Sequence, residues 1–193
     1  MLKKIILSVL IISSFLLSAT LVYASQNNST VKTSPTKIEY DQKVSNDTTM
    51  HVTETEDANE IKENSKFEIK KAKITTKGLI EDNTKLTTAT YTAVNKKPFT
   101  INTVTTLYSD PNDSQRFIFV SQSKDTGKSQ SLEDRLAQNE KVSINNVDVW
   151  IVSNSHNKDI LQIMFWTNGK YYNVTGSKIS KDELLQQAGS LIQ

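Results

Sequence analysis

The run Ile160-Leu161-Gln162-Ile163-Met164-Phe165-Trp166, turned by Asn168-Gly169 into Tyr171-Tyr172-Asn173-Val174, decides how this chain folds. Leu161, Ile163 and Phe165 share one parity and are wholly apolar, while Ile160, Met164 and Trp166 make the opposite parity mostly apolar as well. Side chains alternate across a strand, so this segment predicts a central strand covered on both faces. Asn and Gly accept the positive φ of a two-residue hairpin, which sets the next strand antiparallel beside it.

Toward the C-terminus, Ser180-Lys181-Asp182-Glu183 is a capping box, in which the Ser side chain and the Glu three residues later satisfy free helix N–H groups. Leu184, Leu185, Ala188, Leu191 and Ile192 then fall on one helical stripe, so the chain ends in an amphipathic helix packed on the sheet.

Toward the N-terminus, Val142–Ile144 and Val147–Val152 around Asn145-Asn146 read as a second hairpin. Ser131-Leu132-Glu133-Asp134 opens a short helix to about Asn139, with Leu132 and Leu136 on its inner side. Three runs rich in threonine and aromatics, Leu86–Val94, Phe99–Tyr108 and Arg116–Gln122, read as a meander broken at Pro98 and Asp110-Pro111-Asn112-Asp113. Lys66–Ile74 alternates too, but its apolar parity switches between Ile69 and Ala72, which predicts a strand with a bulge. The fold class is therefore α+β: a curved antiparallel sheet with a C-terminal amphipathic helix packed on it, over residues 60–193.

Residues 25–59 are polar and without periodicity, too poor in apolar side chains to offset the entropy of ordering them, and read as a disordered linker with a weak helical pattern from Asp57 to Ser65. Residues 1–24 are a leader. Lys3 and Lys4 precede an uncharged apolar run from Ile5 to Val22, and Val22-Tyr23-Ala24 offers a cleavage site before Ser25. The run also approaches the roughly 18 residues of a spanning helix, so a signal peptide and an uncleaved anchor both fit. Either one places the remainder outside the cytoplasm, with membrane contact only through residues 1–24 if uncleaved.

Two of the 23 Lys and Arg precede the apolar run, which leaves 21 against 21 Asp and Glu, so the exported part is formally neutral and carries no field suited to nucleic acid. The absence of cysteine excludes disulfides, thiolate metal sites and a cysteine nucleophile.

The series Val142-Ser143-Ile144-Asn145, Val149-Trp150-Ile151, Leu161-Gln162-Ile163, Phe165-Trp166, Asn168-Gly169, Tyr171, Ser180, Glu183-Leu184 and Ser190-Leu191-Ile192 resembles a bacterial domain of unknown function. That domain is found at the extracytoplasmic end of anti-sigma-factor-like membrane proteins and in secreted proteins. The resemblance runs from about Lys66 to Gln193 and is densest from Val142, with Asn146 where the domain usually carries Gly. It implies an extracytoplasmic α+β module, similar in shape to the half-barrel of lipoprotein-sorting carriers, and it supplies no catalytic residues.

Enzyme signatures fail on the residues themselves. His51 and His156 are too few and too far apart for a metal pair or a triad, and the five glycines are isolated, so no phosphate loop exists. Asp110, Asn112 and Ser114 imitate the start of a calcium loop, but Gln115 stands where Gly is needed and Ser121 where Glu is needed. No catalytic, metal or cofactor site is expected. The open possibility is binding: Trp150, Met164, Trp166, Tyr171 and Tyr172, with Phe119, form a candidate surface for an apolar ligand or an envelope protein, sharpest if a gap remains beneath the C-terminal helix. The expected function is an exported, non-enzymatic binding or sensing accessory domain. A structural protein of the cell wall or spore surface is the alternative and a secreted hydrolase the second.

Overall fold

A computed structural model describes residues 37–127, 130–153 and 157–193. The leader, residues 25–36 and His156 lie outside the described residues, as does the Ser131 side chain expected to cap a helix. In chain order the elements are β1 (Lys37–Ser45), β2 (Thr48–Thr55), α1 (Ala58–Asn64), β3 (Ile80–Ala93), β4 (Phe99–Asp110), β5 (Asp113–Lys124), α2 (Gln130–Leu136), β6 (Glu140–Ile144), β7 (Val147–Ser153), β8 (Ile160–Thr167), β9 (Lys170–Ser177) and α3 (Lys181–Ile192).

The nine strands form one open antiparallel sheet in the order β1-β2-β3-β4-β5-β9-β8-β7-β6. The protein is thus α+β, as the alternation predicts, and β8 lies inside the sheet between β9 and β7. Both predicted hairpin turns form, with Asn145 and Asn146 at φ 50° and 64° and Asn168 and Gly169 at 51° and 69°, the left-handed pair that a two-residue turn requires.

The register separates the two faces. One carries Val104, Tyr108, Ile118, Val120, Tyr172, Val174, Ile163, Phe165 and Val149. Helix α3 seals it with Leu184, Ala188, Leu191 and Ile192, all buried in the main core. Both halves of the Ser180–Glu183 capping box are made, so α3 starts where its sequence predicts. Gly176 permits the close approach: a β-carbon there would stand 2.8 Å from a Leu184 methyl carbon.

Two segments differ from the sequence reading. Residues 37–55, expected within a linker, form the hairpin β1–β2, while the helical pattern from Asp57 to Ser65 does form α1, which Asp57 caps through Asn59 and Glu60. Met50 and Val52 of β2 are buried beside Tyr91 and Ile101. The partner that orders β2 is β3, more than thirty residues away in sequence, so no local pattern announces it. Residues 65–79, which include the strand expected over Lys66–Ile74, have no regular structure and run as a strap over the α3 face.

The strap's backbone bonds to side chains instead of a neighbouring strand. Lys70 N–H donates to Gln122 Oε1 at 2.8 Å and Gln122 Nε2 donates back to Lys70 O, while Lys73 N–H donates to Ser190 Oγ at 3.0 Å. Lys170 Nζ donates to Glu68 O at 2.7 Å and Arg116 to Lys77 O at 2.8 Å. The parity switch read as a bulge is a change of neighbours: Phe67 and Ile69 join Ile61, Leu86 and Val104 near α1, whereas Ala72, Ile74 and Leu79 join the main core.

Candidate binding surface

On the opposite face of the C-terminal strands, direct cross-strand pairing sets Trp150 beside Met164 and Trp166 beside Tyr171. The rings form a strip across β7, β8 and β9. Trp150 and Trp166 meet edge to face with centroids 5.7 Å apart, and Trp166 and Tyr171 are tilted at 4.8 Å. Both arrangements suit the ring quadrupoles. The strip is rooted on buried Met164 and Val152, over which α2 places Leu132 and Leu136. Trp150, Trp166 and Tyr171 pack against this cluster and stay half-buried.

Two cations flank the rings. Lys141 Nζ stands 5.9 Å from the Trp150 ring centroid and 3.1 Å from Asp148 Oδ2. Arg135, carried by α2, lies against Met164 with Nη2 4.0 Å from the sulfur. Burial lowers the Arg135 pKa, opposed by the nearby Tyr171 phenol, and burial raises the Tyr171 pKa, opposed by Arg135. The strip therefore holds neutral phenol and indole edges with positive charge alongside.

Of the five residues singled out from sequence, four converge here: Trp150, Met164, Trp166 and Tyr171. Tyr172 does not. It points to the α3 face, stacked on Phe165 at 4.9 Å and fully buried, where burial and then the charge of Glu68 raise its pKa. The gap imagined beneath the C-terminal helix is filled, and Trp166 lies on the other face from that helix. The reason is parity: neighbours Tyr171 and Tyr172 must point oppositely from one strand. Phe119 is buried with Leu107 and Phe117, away from the strip.

Arg135 was not foreseen as part of this surface. Its only signal is its place one residue before Leu136 on a short helix, and the contact to Met164 arises only when that helix docks. The imitation calcium loop is occupied from within: Asp110 accepts from Asn112 N–H at 2.9 Å and pairs with Arg116 at 3.0 Å. His51 sits on β2 and bonds Asp41 at 2.8 Å. A small cavity of about 110 Å³ opens between Asp82, Asp110, Phe117 and Phe119, separate from the strip. Among the described residues no helix is long and apolar enough to cross a membrane.

The profile of one family, DUF4367, a domain of unknown function, matches residues 91–191, just over half of the chain. The chain belongs to the DUF4367 family. The match runs from the end of β3 to the last turn of α3, so it contains the aromatic strip, both helices that flank β8 and the whole of the second hairpin. Strands β1 and β2, α1 and the strap precede the DUF4367 match. No curated protein and no solved structure matches the chain.

Proposed function

We propose that this DUF4367 protein is exported and works in the cell envelope as a non-enzymatic binding or sensing accessory domain that takes an apolar ligand on the Trp150–Trp166–Tyr171 strip. The observation that carries the reading is the contrast within β8: Phe165 is sealed under α3, whereas Trp166, its neighbour, is only half-buried between two other aromatics. Large rings half-exposed in a row are typical of surfaces that grip apolar or π-bearing groups. The leader, with Lys3 and Lys4 before an apolar run, supports export, and the extracytoplasmic setting that the family resemblance implies suits a sensing role.

The chain has only two tryptophans, both in the strip, so its intrinsic fluorescence reports on this surface alone. Titration of the exported protein with a long-chain fatty acid should give a saturable blue shift or quenching. Trp166→Ala should abolish saturation while the far-ultraviolet circular dichroism stays that of a β-rich fold. A flat titration in the native protein, or an unchanged one in the variant, would remove the strip from the proposal.

A further inference from the structure

The sheet is open, and no other strand among the described residues pairs with the outer side of β1. This edge is nine residues long, Lys37–Ser45, with neither proline nor glycine, and it pairs regularly with β2 from Lys37 to Lys43 before a register shift at Val44. Ile38 and Tyr40 are 47% and 40% exposed and lie on the same face as Val52, which Tyr40 opposes in register. An unpaired edge with exposed apolar side chains is a template for another strand. Charges usually protect such edges, so their arrangement decides whether this one is closed or selective.

Lys37, Glu39, Asp41 and Lys43 alternate with Ile38, Tyr40 and Gln42 and therefore project from the other face, in the charge order plus, minus, minus, plus. Suppose two copies pair antiparallel about a two-fold axis through Tyr40. Lys37 then meets Lys43 of the second copy and Glu39 meets Asp41, so every charged pair is repulsive. With the axis through Asp41 the pattern inverts. Glu39 meets Lys43 of the second copy, twice by symmetry, and Tyr40 meets Gln42, all within the regular stretch Lys37–Lys43. The one like pair, Asp41 with its own copy, has a His51 ring 2.8 Å from each carboxylate.

We propose that a second copy of this chain docks on β1 through its own β1, antiparallel and in the register centred on Asp41, making one sheet continuous across both copies. The interface is isologous, as a two-fold pairing of one strand with itself must be. The surface lies outside the family match and at the far end of the sheet from the aromatic strip, so it stands or falls independently of the ligand proposal.

Sedimentation of the exported protein tests it. The native chain should dimerise, and Glu39→Lys or Lys43→Glu alone should weaken the dimer about tenfold, because each change sets like charges opposite one another at two symmetric places. Both side chains are exposed, so folding should be unaffected, which tryptophan fluorescence checks. An equimolar mixture of the two variants should regain the native affinity, since Lys at position 39 then meets Glu at position 43 and native Lys43 meets native Glu39. A native chain that stays monomeric to about 1 mM overturns the proposal. So does a dimer indifferent to either reversal, or folded variants whose mixture remains monomeric.

Discussion

Strand β8 separates two surfaces that are finished to different degrees. On one, Ile163 and Phe165 meet a twelve-residue helix, a strap and the stacked Tyr172 ring, and every one of these side chains is fully buried. On the other, the seven-residue α2 covers Met164 with two leucines and leaves Trp150, Trp166 and Tyr171 half-buried. The sealed face holds most of the domain's stability, and the other leaves apolar rings only half-buried. Burial of comparable rings yields most when no water remains.

The largest test of that contrast is Phe165→Ala beside Trp166→Ala. Removing Phe165 opens a cavity in the sealed face and should destabilise by about 3–5 kcal/mol. Trp166→Ala, at a half-exposed site, should destabilise by clearly less than that range. Urea unfolding midpoints compare them, and equal losses would erase the distinction between the faces.

Two glycines sharpen it further, because each lies against a neighbour on the sealed side. Gly176→Ala drives a methyl into Leu184 and should destabilise by about 1–3 kcal/mol through overpacking. Gly189→Ala should do the reverse. A β-carbon there meets only an Ile144 methyl at an ordinary 3.7 Å, so the gain in helix propensity, up to about 1 kcal/mol, should appear as a higher midpoint.

The smallest effect belongs to the polar rim of the sealed face, where Arg116 pairs with Asp110 and approaches Glu183 at 4.0 Å, and Lys178 pairs with Asp113 at 2.9 Å. Backbone and side-chain hydrogen bonds to Asn112 and Arg116 hold Asp110 below the usual carboxylate range, Lys178 and Gln115 do so for Asp113, and Ser180 does so for Glu183. These groups titrate lower folded than unfolded. Their contribution is therefore full above the ordinary carboxylate range and disappears as pH falls through the lowered values. Arg116→Leu should lower the urea midpoint slightly at neutral pH, and the difference from the native chain should shrink as pH falls below the ordinary carboxylate range. A constant difference would assign Arg116 to packing alone.

The legibility of the chain follows the range of its contacts. The second hairpin, β8–β9 and α3 were readable because turn residues, alternation and the capping box act within a few residues. The same local logic put Trp150, Met164, Trp166 and Tyr171 among the candidates. It also admitted Tyr172, whose place depends on which parity α3 covers. Nor could it supply the cation at the end of α3, which has no basic residue in its last turn: Lys70 reaches from the strap to the carbonyls of Leu191 and Gln193.

By itself, then, the amino-acid order determined the strands of the meander, the two hairpins and the closing helix, since those rest on near-neighbour sterics and periodicity. That residues 37–55 join the sheet, that residues 65–79 cross its face, and that the tryptophans lie opposite α3 came from long-range packing. Each of these depends on partners tens of residues away, such as Thr55 with Leu86 and Lys70 with Gln122. The energy of such pairings belongs to the assembled fold and is written in no single stretch of the chain.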